Sequence, residues 1–250
     1  MFRLRIDFKK ESNGLSKNQN VLSHCGQIKN IINAAFRKYG YCQEKNKPAK
    51  YGFGSIIRKI DNTTNKSLYR VDRIWIGSAD QTIAKAISMI TPEDLIESTM
   101  TPGAGLDLRQ NARFYIETVN NTSGVVQCFT NTPIRILSGK GNNKQTLFDF
   151  GEEFNINLNK NLETRFGKPF SLKFVPDNTF VRLYKGRVVK SLPVAGHING
   201  PKDVVFYWPG VVVPFVLIGP PEDINTVLSS GLGTGTGMGF GWISPSGEDQ

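Results

Sequence analysis

Apolar and charged side chains alternate from Phe2 to Phe8, which is typical of a β-strand with one buried face. Apolar residues then recur at helical spacing over residues 19–38 and fall in one half of the helical wheel. The same criteria predict strands over 51–60 and 67–77, a helix over 80–89 and a strand over 112–119. The order β-α-β-β-α-β is that of the ferredoxin-like split unit.

A similar series follows the turn-rich segment 120–124, so we expect two domains, 1–122 and 123–250. The second half predicts, in order, a strand over 125–137 broken at Pro133, a helix over 151–166, a strand over 170–175, a hairpin over 180–192 turning at Lys185-Gly186, a strand over 211–219, a helix over 221–230 and a strand over 240–243. The predicted class is α+β, with two tandem ferredoxin-like (RRM-like) βαββαβ domains and a C-terminal glycine-rich loop, 230–243.

The charge of the chain suggests a polyanionic partner. There are 31 Lys and Arg against 21 Asp and Glu, which gives a net charge of +10, and 39% of the residues are hydrophobic. A chain of 250 residues with this composition can bury a core. A compact basic protein most simply binds nucleic acid, and an ordinary basic surface is the alternative.

Other classes of protein find no support in the residues. The three cysteines form no C-x-x-C pair, so neither a disulfide framework nor a zinc site is indicated, and we expect no metal and no cofactor. The alternating N-terminus does not resemble a signal peptide. The longest apolar run, 211–219, is far shorter than the ~20 residues that span a bilayer. We therefore expect a cytoplasmic protein that does not enter a membrane.

Glycine occupies every odd position from 231 to 241. The segment matches neither a dinucleotide-binding fingerprint nor a P-loop. Backbone amides in such a segment can lie against phosphates, and the apolar residues between the glycines indicate that the segment is packed rather than a plain linker. The predicted RNA-binding glycines are Gly231, Gly233, Gly235, Gly237, Gly239 and Gly241.

The spacing Gly231-Leu-Gly233, five residues, Gly239-Phe-Gly241 resembles the C-terminal signature of the CRISPR repeat-processing endoribonucleases, the sixth Cas family of the RAMP superfamily. Thr132-Pro133-Ile134 and Asn161-Leu162 are also similar to that family. The resemblance implies two ferredoxin-like domains side by side. It also implies that the protein binds and cleaves CRISPR repeat RNA to give guide RNAs, with retention in an effector complex beside other Cas subunits as a further expectation.

The acidic residues are scattered, so we expect cleavage without a metal ion. In such a reaction the 2′-hydroxyl of the RNA attacks the adjacent phosphorus and leaves a 2′,3′-cyclic phosphate and a 5′-hydroxyl, the chemistry that the resemblance also implies. His24, in the first predicted helix, is the better candidate for the acid or base, and a histidine packed at the helix edge is the alternative. The loop after that helix adds Tyr41 and Lys50 as catalytic candidates, whereas His197 is interpreted as structural.

The predicted hairpin 180–192 carries four cations that are able to grip the phosphates of an RNA stem: Arg182, Lys185, Arg187 and Lys190. An ordinary solvated hairpin is the alternative interpretation. For the whole chain, a non-catalytic RNA-binding RAMP subunit of a CRISPR effector complex is the main alternative function. A ferredoxin-like module that binds RNA in translation is a third possibility, but it leaves the glycines unexplained.

Overall fold

The computed structural model describes residues 1–8, 24–44, 47–61, 68–94, 112–139, 141–184, 187–196 and 204–247. In the first half, one antiparallel sheet has the strand order β2-β3-β1-β4. Its strands are β1 (Phe2–Phe8), β2 (Tyr51–Asp61), β3 (Leu68–Ser78) and β4 (Ala112–Thr118). This order is the one expected for the ferredoxin-like unit predicted from the alternation of apolar residues.

Two helices, α1 (His24–Lys38) and α2 (Gln81–Ser88), pack against one face of this sheet. Ile28 and Phe36 of α1 join Ile6 and Ile76 of the sheet in a single buried cluster. The Asp80 carboxylate caps α2, because its Oδ1 accepts hydrogen bonds from the amides of residues 82 and 83 at 3.0 and 3.4 Å. The apolar stripe of each helix therefore fixes where it lies on the sheet.

The second half repeats this arrangement. Its sheet has the order β12-β5-β11-β8, made of β5 (Val125–Thr130), β8 (Lys173–Pro176), β11 (Phe215–Ile218) and β12 (Ile243–Pro245). The helices α3 (Glu152–Phe166) and α5 (Pro221–Ser230) supply residues to its core. The first strand again lies between the third and the fourth, so both halves have the ferredoxin-like strand order and the predicted fold class is confirmed.

Several element bounds in the second half differ from the prediction, among them those of the strand predicted over 170–175, which is β8. The strand predicted over 125–137 ends at Thr130, and Ile134 forms only an isolated bridge with Val211. The apolar run 211–219 is divided between β10 (Val204–Val211) and β11, because Pro214 lacks the amide that a continuous strand requires. The last strand, predicted over 240–243, is instead β12, which follows the glycines 231–241.

The hairpin predicted over 180–192 is wrong. Residues 178–183 form helix α4 (Asn178–Leu183), because the Asp177 carboxylate accepts hydrogen bonds from the amides of Thr179 and Phe180 at 2.9 and 3.0 Å. The predicted turn, Lys185-Gly186, lies outside the described residues. The strand that follows, β9 (Val189–Gly196), pairs instead with β10 in an antiparallel ladder. Two short strands, β6 (Leu137–Ser138) and β7 (Gln145–Thr146), also pair.

The two halves meet where glycines of the first sheet face the end of α5. A Cβ atom on Gly52 or Gly77 would overlap the carbonyl oxygens of Ser230 and Ser229, and one on Gly54 would overlap the Trp242 ring. The backbones therefore approach closely along this seam. Among the described residues, no helix combines the length and apolar character needed to cross a membrane.

Candidate nucleic-acid interface

The glycine segment (residues 231–241) is a closed, packed loop. The Leu232 amide donates to the Gly241 carbonyl at 2.7 Å and joins the two ends of the loop. Leu232 and Phe240 are fully buried, and the middle of the segment is a 3-10 helical turn, Thr236–Met238. The apolar residues between the glycines thus indicated correctly that the segment is packed.

Both halves of the protein hold this segment. From the second half, the Pro133 carbonyl accepts a hydrogen bond from the Gly241 amide at 2.8 Å, and the Thr132 hydroxyl accepts one from the Trp242 amide at 2.9 Å. From the first half, the Tyr51 carbonyl accepts from the Thr236 hydroxyl at 2.9 Å. The Thr132-Pro133 pair singled out in the sequence is therefore an anchor for the glycine segment.

All six glycines lie close to other protein atoms, and three of them also line a groove. Gly241 and Gly239 have positive φ angles of 69° and 87° and pack against protein: a Cβ on Gly241 would overlap the Leu232 carbonyl, and one on Gly239 would lie 3.0 Å from the Phe53 ring. Gly231 also packs internally, because a Cβ there would lie 3.1 Å from Cγ2 of Thr236. Gly233, Gly235 and Gly237 line an open groove, and two of them are also crowded: a Cβ on Gly233 would overlap the Arg135 carbonyl, and one on Gly237 would overlap Cβ of Ala49.

This groove has a volume of about 450 Å³ and lies where the two halves meet. Its walls come from α1, the loop between α1 and β2, helix α3, residues 135–144, β10 and the glycine segment. The described lining residues include no Asp or Glu. They include six cationic side chains, which are Lys29, Lys47, Arg135, Lys144, Lys160 and Arg165. Such a lining attracts anions and gives the groove the electrostatic character of a phosphate site.

Most of these cations keep their charge available to a ligand. Within the described part of the chain, Lys29, Lys144 and Lys160 form no ion pair with a carboxylate. Lys47 is paired with Glu44 at 2.6 Å, but both side chains are 66% exposed, so that pair contributes little. A polyanion entering the groove therefore meets few competing acids.

Arg165 is the buried member of this set. Its Nε donates to the Ala49 carbonyl at 2.7 Å, and its two terminal nitrogens donate to the carbonyls of Gly231 and Ser230 at 2.8 and 2.5 Å. Burial lowers the pKa of Arg165 to about 9, so the guanidinium is protonated at neutral pH. One side chain of α3 thus joins the loop before β2 to the start of the glycine segment.

The sequence pattern of α3 holds a signal that the prediction missed. Phe154, Leu158 and Leu162 are buried at helical spacing, and Arg165 occupies the next position of the same stripe. An arginine on a buried stripe must satisfy its donors internally, as this one does. Asn161 beside it accepts from the Leu137 amide and donates to the Leu137 carbonyl, both at 3.0 Å, and so fixes one wall of the groove.

None of the three predicted catalytic residues is among the described residues that line the groove. His24 is the first residue of α1, and its side chain is outside the described part of the structure. Burial raises the pKa of Tyr41, as do the charges of Asp80, Cys42 and Glu44, and the Tyr41 hydroxyl donates to Gln43 Oε1 at 2.9 Å. Lys50 Nζ lies 3.5 Å from Asp80. Neither Tyr41 nor Lys50 lines the groove, but Gln43, Lys47 and Ala49 of the same loop do. His197 is outside the described residues.

The cations of the rejected hairpin are divided between two elements. Arg182 lies in α4, where its Nε donates to the Asn178 carbonyl at 3.3 Å. Arg187, just before β9, and Lys190, at its start, are exposed, and Lys185 is outside the described residues. Lys190 pairs with Gly210, two residues from the pair Leu192 and Trp208, so Lys190 is on the same face of the β9–β10 ladder as Trp208.

Solved structures of other proteins share this fold of two ferredoxin-like halves. The chain is similar to the structure reported as a Cas6-related gene product from Pyrococcus furiosus, with 17% identity, a TM-score of 0.60 and 99% of each chain covered. It is also similar to an RAMP protein binding different RNA substrates, with 18% identity, a TM-score of 0.54 and coverage of 98% and 99%. A CRISPR-associated protein Cas6 structure gives 15% identity, a TM-score of 0.55 and 98% coverage of both chains.

A family model identifies the chain more closely than these structures do. Residues 116–245 match the model of CRISPR associated protein Cas6, C-terminal. This match spans just over half of the chain and includes the glycine segment. The chain therefore belongs to the CRISPR-associated Cas6 family. No curated protein matches the sequence.

Proposed function

We propose that this protein is an endoribonuclease that binds CRISPR repeat RNA and cleaves it into guide RNAs. The observation that carries the proposal is the groove between the two halves, which combines six cations with the groove-facing backbone of the glycine segment and has no acid among its described lining residues. Repeat RNA is a polyanion, and membership of the Cas6 family supports RNA as the ligand. The net charge of +10 favours the same partner.

In the proposed reaction, a base removes the proton of a 2′-hydroxyl, and the oxygen attacks the adjacent phosphorus. The bond from phosphorus to the 5′-oxygen breaks, and an acid protonates the departing oxygen. We assign His24 to one of these proton transfers. The position of the next residue supports this assignment. Cys25 is buried, and a Cβ on Gly239 would lie 3.3 Å from the Cys25 sulfur. The start of α1 therefore adjoins the glycine segment.

Tyr41 and Lys50 are proposed as the other catalytic groups. Burial raises the pKa of Tyr41, so a protonated hydroxyl that donates a hydrogen bond to the RNA is the role that we propose for it. Lys50 directly precedes β2 and brings a positive charge to the loop that supplies Lys47 and Ala49 to the groove. The charge of Lys50 would stabilise the negative charge that develops at phosphorus.

The test of this function is incubation with the cognate repeat RNA in excess EDTA. We expect cleavage to persist, with products that end in a 2′,3′-cyclic phosphate and a 5′-hydroxyl, because the 2′-hydroxyl is the nucleophile. A single 2′-deoxy substitution at the cut site should abolish the reaction, and the same substitution one nucleotide away is the control. Loss of cleavage in EDTA that magnesium restores would overturn the mechanism.

The role of His24 is tested in single-turnover cleavage. His24→Ala should slow the chemical step by about 10²–10⁴-fold while repeat binding stays nearly unchanged, because an acid or base contributes about that factor. Asn30→Ala is the matched control, since Asn30 is an exposed residue of the same helix. A wild-type rate in the His24 variant would make this histidine structural and shift attention to Tyr41 and Lys50.

A non-catalytic RNA-binding RAMP subunit is the second candidate function. One observation favours it: the described groove lining is rich in cations and includes no histidine. This candidate predicts tight repeat binding without cleavage under any divalent-ion condition. In either case we propose retention of the guide RNA in a complex with other Cas subunits, which co-purification of the guide with the protein would test.

A further inference from the structure

Within the basic groove, Trp208 and Arg135 form a stacked pair that phosphate binding does not require. The Arg135 guanidinium carbon lies 4.3 Å from the centre of the Trp208 ring. Trp208 is partly exposed and lines the groove, as Arg135 does. The Phe240 ring of the glycine segment supports the indole, with centroids 6.2 Å apart and a tilt of 38°. The Trp208 indole and the Arg135 guanidinium, both planar, therefore lie next to each other in a cationic groove.

The backbone around this pair is fixed. The Arg135 carbonyl accepts hydrogen bonds from the Thr234 amide at 2.9 Å and from the Thr234 hydroxyl at 3.0 Å. Trp208 lies in β10, opposite Leu192 in the β9–β10 ladder. The backbone that carries the pair is thus held in place before any ligand arrives, and a preorganised surface loses little entropy when it binds.

We infer that Trp208 and Arg135 form a stacking platform for one unpaired nucleobase of a single-stranded RNA whose flanking phosphates lie among Lys29, Lys144 and Lys160. Single-stranded RNA is recognised by stacking its bases on aromatic rings and arginine planes, whereas the bases of an A-form duplex are already stacked and closed to such contacts. The inference rests on the proposed function only in taking RNA as the ligand.

The size of the groove agrees with this ligand. A volume of about 450 Å³ is in the ~300–1,000 Å³ range of small-ligand pockets. One or two nucleotides fit such a space, and a paired stem does not. A stem would instead lie outside, where Lys190 shares the Trp208 face of the ladder. The platform therefore divides the RNA into an unpaired part inside the groove and a paired part beyond it.

The experiment measures binding of a short, unstructured oligoribonucleotide of mixed sequence by fluorescence anisotropy. Trp208→Ala should weaken binding by between about 5- and 150-fold, the range found when a stacking aromatic is removed. Trp208→Phe should keep most of the affinity, because a ring remains. Tyr207→Ala is the matched control: Tyr207 is the neighbouring aromatic, 65% exposed, and adjacent strand residues point to opposite faces.

A second measurement scans the oligoribonucleotide, first with the wild-type protein and then with the Trp208→Ala variant. An abasic riboside is placed at each position of the oligoribonucleotide in turn, and one position should lose as much affinity as Trp208→Ala does. At that position the two changes should not be additive, since both remove the same stack. Additive losses, or equal effects of Trp208→Ala and Tyr207→Ala, would overturn the platform.

The outcome is separable from that of the proposed function. A protein that binds the oligoribonucleotide through Trp208 but never cleaves repeat RNA keeps the platform and loses the endoribonuclease. If the protein cleaves repeat RNA and the Trp208→Ala variant binds the oligoribonucleotide with unchanged affinity, the endoribonuclease stands and the platform is overturned. Absence of any binding to the unpaired oligoribonucleotide, with intact binding to a hairpin RNA, would also overturn the platform.

Discussion

Two regions were expected to meet RNA, and the structure gives them opposite character. The glycine segment is buried, closed on itself and hydrogen-bonded to both halves. Arg182, Arg187 and Lys190 are exposed, and they lie in helix α4, just before β9 and at the start of β9, respectively. RNA binding was thus expected of two different regions. Substitutions in the glycine segment disturb the fold, whereas substitutions of the exposed cations do not.

This difference between the two regions separates the effect of backbone geometry on RNA binding from the effect of charge. A change in the glycine segment alters backbone positions, so it affects stability first and RNA binding as a consequence. A change in the exposed cations weakens the attraction to phosphates with little effect on folding, and this attraction depends on salt and is blind to sequence. The three predictions below test this separation.

The largest effect should come from Gly241→Ala. The added Cβ would overlap the Leu232 carbonyl at a residue with a φ of 69°, so both crowding and backbone strain oppose folding. We expect a loss of about 3–4 kcal/mol in the free energy of unfolding, measured by urea denaturation. Gly247→Ala is the control, because Gly247 also has a positive φ, of 95°, but faces open space. Similar losses in the two variants would show that strain alone, and not packing of the segment, sets the cost.

A smaller loss should follow Arg165→Met, which keeps the length of the side chain but leaves the buried carbonyls of Ser230 and Gly231 without their donor. We expect about 2–3 kcal/mol by the same measurement, together with weaker RNA binding. Arg165→Lys retains the charge but cannot span all three carbonyls, so it should fall between the wild type and Arg165→Met. If Arg165→Met were as stable as the wild type, Arg165 would not be what joins the two halves.

The smallest effect on folding should come from Arg187→Ala and Lys190→Ala. Stability should change by less than about 0.5 kcal/mol, since both residues are exposed. If the substituted side chain binds a phosphate, its removal should flatten the plot of log affinity against log salt by up to about 0.9. Lys85→Ala on α2, an exposed cation outside the groove lining, should leave the slope unchanged. An unchanged slope in both test variants would remove this region from the interface.

The sequence predicted most of the fold because the elements carry their own periodicity. The alternation of β1 and the apolar stripe of α1 are local signals, and the structure has both. The hairpin over 180–192 was wrong because the Asp177 cap, a single side chain, outweighed the apolar alternation that follows it. Local pattern therefore predicts an element well only where no cap competes with it.

The groove was less predictable, since its members come from distant parts of the chain. Lys29, Lys160 and Trp208 each look ordinary in the sequence, and only the tertiary fold brings them together. The glycine segment was recognised because its spacing is unusual. Which of its glycines reach the groove depends on tertiary contacts, such as those with Phe53, Ala49 and Leu232, that no spacing reveals.

The three hydrogen bonds of the Arg165 guanidinium bear on when the groove can form during translation. Its guanidinium requires the carbonyl of Ala49 from the first half and those of Ser230 and Gly231 from the second, and the glycine segment follows every other wall of the groove in the chain. Domains fold one after another as a polypeptide leaves the ribosome. A nascent chain that has folded its first half therefore presents no groove to cellular RNA, and the site comes into being only after the glycine segment has been synthesised and docked.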